Sequence, residues 1–132
     1  MNNEWLLIDT HTPRQNRLGW LSITNKVSIR TYRGRPITIL RRLFVEERER
    51  LATCKGICVI SGPGSFSSIR IGVLYANLLA RLFEKPLVGV RVEESLDLVH
   101  LAQNLDDKTW SSRAYVAPVY DAEPSITVPR TV

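Results

Sequence analysis

The segment Gly62-Pro63-Gly64-Ser65 follows a short apolar run and precedes a helical pattern. Glycines in a strand-to-helix turn allow positive φ and let backbone N–H groups point outward. The helix start adds partial positive charge, so the turn could seat an anion such as a phosphate. Asp9 and Thr10 close another apolar run, at a strand end where an acid could handle a metal. Together Asp9, Thr10, Gly62, Pro63, Gly64 and Ser65 form the candidate phosphate or anion set. A plainer reading of the same residues stays open. Ser65, Ser67 or Ser68 would then cap the helix, and Asp9 would cap its own turn through the backbone. No Lys-Ser/Thr follows the second glycine, so this is not a Walker A loop.

Other chemistries lack residues. His11 and His100 fall in different elements and no His-x-x-x-His occurs, so a metallopeptidase site fails on ligand count and no metal is expected. A two-metal nuclease needs an acid after the fourth strand, where this chain has Ser61-Gly62. Asp121 alone does not replace it. Cys54 and Cys58 are too few for a disulfide framework, fit a reducing compartment, and read as small buried hydrophobes. No catalytic residue is assigned.

The elements that must position these residues follow from the apolar pattern. Trp5–Ile8, Gly56–Ser61 and Leu87–Val92 are continuous apolar runs, which predicts strands covered on both faces. Leu18–Thr24 and Val27–Arg33, separated by Asn25-Lys26, predict a hairpin. Ile37–Thr53 has helical spacing, opened by Pro36 or Thr38 and closed at Lys55-Gly56. Ile69–Phe83 is the clearest helix, Glu93–Asn104 a shorter one, Asp106–Ser112 a polar loop and Tyr115–Tyr120 a last strand. Three antiparallel strands followed by parallel strands with helical crossovers make an α/β fold with a mixed sheet and helices on its faces. That order is the ribonuclease-H-like arrangement, which also forms a single lobe of the actin-like ATPases (ASKHA).

The chain has 132 residues and an ordinary globular composition, 44% hydrophobic and 23% charged, enough for one domain. No apolar run approaches the ~18–20 residues of a membrane span. The start, Met1-Asn2-Asn3-Glu4-Trp5, lacks a secretion signal, so a soluble cytoplasmic protein with no membrane partner is expected. Net charge is +5. Residues 1–60 carry 11 basic and 5 acidic side chains, and residues 61–132 carry 7 and 8. From Arg14 to Arg42 eight basic residues occur without an acid. This stretch either attracts RNA or an acidic surface, or is a solvated face.

In the Ile69–Phe83 helix, Arg70, Asn77 and Arg81 share a polar stripe with Leu74. The remaining apolar arc spans roughly 220° at ~100° per residue, where a core-facing stripe needs only ~100°. Part of it should therefore face a partner. Ile71, Leu74, Tyr75, Leu78 and Leu82, with Leu43 of the preceding helix, are the candidate interface. Gly72 and Ala76 are expected against the core.

The segment Ser61–Val73 (SGPGSFSSIRIGV) resembles the glycine-rich signature of the TsaB (YeaZ) family. These glycoprotease-like proteins assist in making threonylcarbamoyladenosine on tRNA. The family usually has Thr-Gly where this chain has Ser67-Ser68. Ile8-Asp9-Thr10 is similar to the family's first-strand end, with His11 in place of serine. Pro86–Val90 is similar to the strand after the signature, and Ala117–Ala122 to a strand ending in Asp-Ala-Arg, with Glu123 in place of arginine. Family members continue into a second lobe, and this chain stops eleven residues past Asp121. The expected organisation is a TsaB-like first lobe at 1–122 and an extended tail at 123–132.

The resemblance implies a non-catalytic subunit that scaffolds a TsaD-like transferase in a heterodimer, through a helix bundle of its first two helices. It further implies recruitment of a TsaE-like ATPase and an indirect relation to tRNA. No cofactor is expected on the isolated chain, with ATP or ADP only alongside a partner. Two alternatives stay open. One is a nucleotide-binding actin-like remnant using Asp9, Thr10 and the Gly62–Ser65 loop. The other is a homodimeric interaction module without a tRNA role.

Overall fold

The structure, a computed structural model, describes residues 3–22, 24, 27–106 and 116–119. Five strands form one sheet: β1 (Trp5–Thr12), β2 (Gln15–Leu21), β3 (Ser28–Arg33), β4 (Gly56–Gly62) and β5 (Leu87–Arg91). Helices α1 (Pro36–Glu46) and α2 (Arg48–Thr53) link β3 to β4. Helix α3 (Phe66–Leu82) links β4 to β5, and a 3-10 turn (Val92–Ser95) precedes α4 (Leu98–Asp106). Strand order is β3-β2-β1-β4-β5. The pairs β1–β2 and β2–β3 are antiparallel, and β1–β4 and β4–β5 are parallel. This is the mixed α/β sheet that the element order predicts.

Burial explains the composition of the central strands. Every residue of β4 is buried, as are Leu6 through Thr10 of β1. On one face Leu6, Ile8, Leu18 and Trp20 meet Leu40, Leu43 and Leu51 of α1 and α2 and Ile69, Val73 and Ala76 of α3. On the other, Leu7, Cys58, Ile60 and Val88 meet Leu101, Ala102 and Leu105 of α4. The molecule is thus helices, sheet, helix in three layers. Among the described residues no helix is long and apolar enough to cross a membrane.

Several boundaries differ from the sequence reading. Strand β1 runs on to Thr12 and turns at Pro13-Arg14 directly into β2, a hairpin the apolar pattern did not signal. Asn25-Lys26 lies outside the described residues. The predicted helix 37–53 is two helices broken at Glu47, whose φ is −116° and ψ 28°. The break drops Leu51 and Cys54 into the core and lays the Arg50 guanidinium over Trp20, 4.5 Å from the ring centre, while it pairs with Glu4. Gly56 opens β4, as the predicted strand 56–61 has it, and the helix ends earlier, at Thr53. The predicted helix 93–104 is interrupted because Asp97 accepts the N–H groups of Val99 and His100 through Oδ1, both at 3.1 Å, and starts α4 afresh.

The predicted last strand also changes. Its four described residues, Val116–Val119, are not a strand. They are held by point contacts: Val119 N–H donates to Ser61 O at 2.7 Å, and Asn77 bonds both backbone groups of Val116. Tyr115, Tyr120, Asp121, most of the predicted 106–112 loop and the tail 123–132 lie outside the described residues.

Candidate functional site

The candidate anion residues come together where the C-terminal ends of β1 and β4 meet the start of α3. Asp9 is 1% exposed, and its carboxylate is fully engaged. Oδ1 accepts the His11 backbone N–H at 3.1 Å and sits 2.5 Å from His11 Nδ1. Oδ2 accepts from Arg17 Nε at 2.7 Å. The fold dictates this. Residues 9 and 11 are two apart along one strand, so they share a side. Arg17 stands directly opposite Asp9 in the β1–β2 ladder. Arg17 continues to Ser95 Oγ at 3.3 Å, and Ser95 donates to Val92 O at 2.7 Å. The cluster ties the sheet centre to the 3-10 turn. It realises the plainer reading of Asp9, a cap on its own turn, with Arg17 added.

Thr10 and the glycine turn are similarly committed. Thr10 Oγ1 donates to Ser68 O at 2.7 Å. Gly62 has φ +124°, a conformation that favours glycine, and a β-carbon there would fall 1.9 Å from Val119 O. A β-carbon on Gly64 would fall 2.6 Å from His11 O. Ser65 N–H donates to that same carbonyl at 3.2 Å, so this donor points back into the chain rather than out to a ligand. Ser65 holds the cap position of α3, yet its side chain makes no capping bond. Val119 and His11 thus lie against the β-carbon positions of Gly62 and Gly64, the Ser65 N–H is engaged within the chain, and the acid beside them is paired.

The interface candidates divide cleanly. On α3, Ile69, Gly72, Val73, Ala76, Leu79 and Ala80 are buried. Leu74, Leu78 and Leu82 are 51%, 54% and 62% exposed, and Ile71 and Tyr75 are half-buried at the edge of the core. So the Gly72–Ala76 face turns inward. Leu43 is placed differently from the sequence reading. It is 6% exposed, inside the core cluster, because α1 packs beside α3 and turns Leu40 and Leu43 into that cluster. Asn77 also departs from the expected solvent stripe. Its amide donates to Val73 O at 2.8 Å and to Val116 O at 3.0 Å, and its Oδ1 accepts Val116 N–H at 2.9 Å.

The sequence reading missed Arg17, Ser95, Asn16 and Asn77 as structural polar groups. Arg17 would have been found from the β1–β2 register, had the turn at Pro13-Arg14 been recognised. Asn16 donates to Gly34 O at 3.1 Å, holding the β3–α1 corner, with no signal in the apolar pattern. Cys54 and Cys58 are buried free thiols. Burial pushes both thiols up, and for Cys58 the charges of Glu94 and Asp9 add to it. Among the described residues no group of three His, Cys, Asp or Glu stands together as a metal site.

A groove of about 220 Å³ runs between β2–β3 and α1, lined by Trp20, Arg30, Tyr32, Arg42, Glu46 and Arg50 among others. It carries both signs of charge and holds no nucleophile.

Comparisons with known proteins address the fold and the family. YeaZ from Pseudomonas aeruginosa superposes with a TM-score of 0.56 at 22% identity, over 68% of this chain and 43% of that one. A second structure, an uncharacterized protein with similarity to peptidase YeaZ from the same organism, gives 0.51 at 21% identity, over 68% and 44%. The chain spans less than half the length of either. At this identity they show a shared fold, the one expected from the TsaB (YeaZ) signature. No curated protein matches in sequence. The model of the family described as TsaD, tRNA N6-adenosine threonylcarbamoyltransferase, matches residues 25–123, which takes in β3, the glycine turn and α3, and the chain belongs to that family.

Proposed function

We propose that this chain is a non-catalytic, TsaB-like subunit that supports threonylcarbamoyladenosine modification of tRNA by scaffolding a TsaD-like transferase. The observation that carries it is the row Leu74, Leu78 and Leu82. These side chains lie one turn apart on α3 and stay more than half exposed, while the opposite side of the same helix is core. Three large aliphatic side chains at helical spacing offer a dry seam to a partner helix. Family membership supplies the chemical context, and the YeaZ-like fold supports the accessory role.

The catalytic part of the proposal rests on the Asp9 cluster. An acid whose two oxygens are occupied by His11 and Arg17 is held as a structural group. The nucleotide-binding alternative is disfavoured by the engaged Ser65 N–H and the paired acid at the glycine turn, so the isolated chain is proposed to bind ATP and ADP weakly or not at all.

The test is co-expression of the chain with a TsaD-like protein from the same genome. Size exclusion should give a stable complex, and threonylcarbamoyladenosine formation should need both proteins. A chain that forms only homodimers would transfer support to the interaction-module reading. Metal-dependent turnover by the chain alone, abolished by Asp9→Ala, would overturn the non-catalytic reading.

A further inference from the structure

The basic stretch Arg14–Arg42 acquires a definite shape in the fold. β3 is an edge strand, and only Gly34 and Arg35 separate its end from the start of α1. Arg14 sits in the β1–β2 turn, and Gly34 N–H donates to Arg14 O at 3.2 Å, which brings Arg14, Arg33 and Arg35 to one corner. Arg30 lies along the strand, and Arg41 and Arg42 lie farther down α1. All six are exposed. Arg17, by contrast, turns inward to Asp9, and Arg42 has Glu46 at 3.9 Å. Among the described residues Arg14, Arg30, Arg33, Arg35 and Arg41 have no ion pair with an acid. The first turn of α1 carries no acid either.

We infer that this arginine-bearing edge, β3 with the start of α1, is a docking surface for the phosphate backbone of a structured RNA. Three observations favour phosphates over an acidic protein. Among the described residues the corner of Arg14, Arg33 and Arg35 makes no pair with an acid, while Arg30 and Arg42 share the β2–β3 groove with Glu46 and Glu47. Among the described residues all of its charges are guanidinium groups, whose fork geometry matches phosphate oxygens bidentately. And the charges are spread, with Arg30 on the α1 side of the strand, Arg33 on its other side and Arg35 to Arg42 over about 10 Å of helix, so that they surround the strand edge and can meet several phosphates. The choice of RNA over DNA rests on the functional reading above. The surface is distinct from the apolar row on α3, so one chain could hold a protein partner and an RNA together.

The experiment measures binding of a fluorescent tRNA transcript to the full chain at 50 and 200 mM salt. About four phosphate contacts predict roughly a hundredfold weaker binding at the higher salt. The triple variant R14E/R33E/R35E should lose at least tenfold in affinity and show a shallower salt dependence. A triple of equal charge on α3 and the opposite sheet edge, R70E/R81E/R91E, should lose far less. All substituted side chains are exposed, and circular dichroism checks that both variants fold. Equal losses in the two triples, equal affinity for a DNA duplex of the same length, or tighter binding of poly-glutamate would each overturn the inference. Association of both triples with the TsaD-like protein is measured alongside. No RNA binding by the parent chain, or undiminished binding by R14E/R33E/R35E, with association intact would sink only this inference, and RNA binding without association only the scaffolding role.

Discussion

Thr10 Oγ1 occupies the space that a β-carbon at position 72 would need. A β-carbon built on Gly72 falls 2.1 Å from it, while the hydroxyl donates to Ser68 O one turn earlier on α3. The contact presses α3 against the end of β1 and so sets how far the helix is rotated. Gly72→Ala should cost about 1–3 kcal/mol of overpacking, less the ~1 kcal/mol by which alanine is the better helix former. Urea unfolding should show a net loss of up to about 2 kcal/mol. A stabilised variant would mean that Thr10 can turn away and that the contact does not fix α3.

The Asp9–Arg17 pair predicts a different pattern. Asp9→Ala leaves Arg17 without its buried carboxylate, and removing one partner of a buried pair costs about 3–5 kcal/mol. Arg17 is partly exposed, so the expected loss is nearer ~2–3 kcal/mol. Arg17→Leu in the same chain should recover part of that loss, because no unpaired charge remains. Additive losses in the double variant would show that the two side chains are not coupled.

How much of this was legible before the structure depends on what each residue answers to. β4 and α3 were plain, because continuous apolar character and helical spacing are local patterns. The turn Pro13-Arg14 was not, since β1 and β2 are joined through residues with no apolar signature, and Arg17 was therefore counted as surface charge. Leu43 was misplaced for a related reason. Helical spacing gives the apolar side of α1 but not what covers it, and here the core cluster beside α3 does. Asn77 lies in a polar stripe whose outer half faces water and whose inner half meets Val116, thirty-nine residues on. No periodicity reports a contact of that range.

Cys58 gives a pH prediction. Burial holds its thiol protonated well above the usual 9.0, with Glu94 and Asp9 adding to the shift. The unfolded chain releases this proton near 9 while the folded chain keeps it. The folded state then binds more protons, so stability is full below pH 9 and falls as pH rises beyond it, by up to ~1.4 kcal/mol per unit for this group. Cys58→Ala should lower stability at pH 8 through the lost packing, yet lose less than the parent between pH 8 and pH 10. The readout is the urea midpoint at each pH. Parallel slopes in both proteins would show that Cys58 does not titrate in this range on unfolding.

Neighbouring leucines on α3 provide the sharpest test of the partner surface. Leu78 is 54% exposed and Leu79 3% exposed. A charge at Leu79 would be buried without a partner, a cost of several kcal/mol against a total stability of ~5–15. Leu79→Asp should therefore unfold the domain or leave it marginal. Leu78→Asp adds a charge where water already reaches, so the circular dichroism spectrum and urea midpoint should stay close to the parent's. The same substitution would sit at the centre of the Leu74–Leu78–Leu82 row, and desolvating an aspartate in a dry seam should weaken the complex with a TsaD-like protein at least a hundredfold. Size exclusion would then show two separate proteins in place of one complex. A folded Leu78→Asp that still co-elutes would move the partner off α3. If Leu78→Asp fails to fold, Leu74→Asp provides the independent trial, since Leu74 is 51% exposed on the same side of the helix.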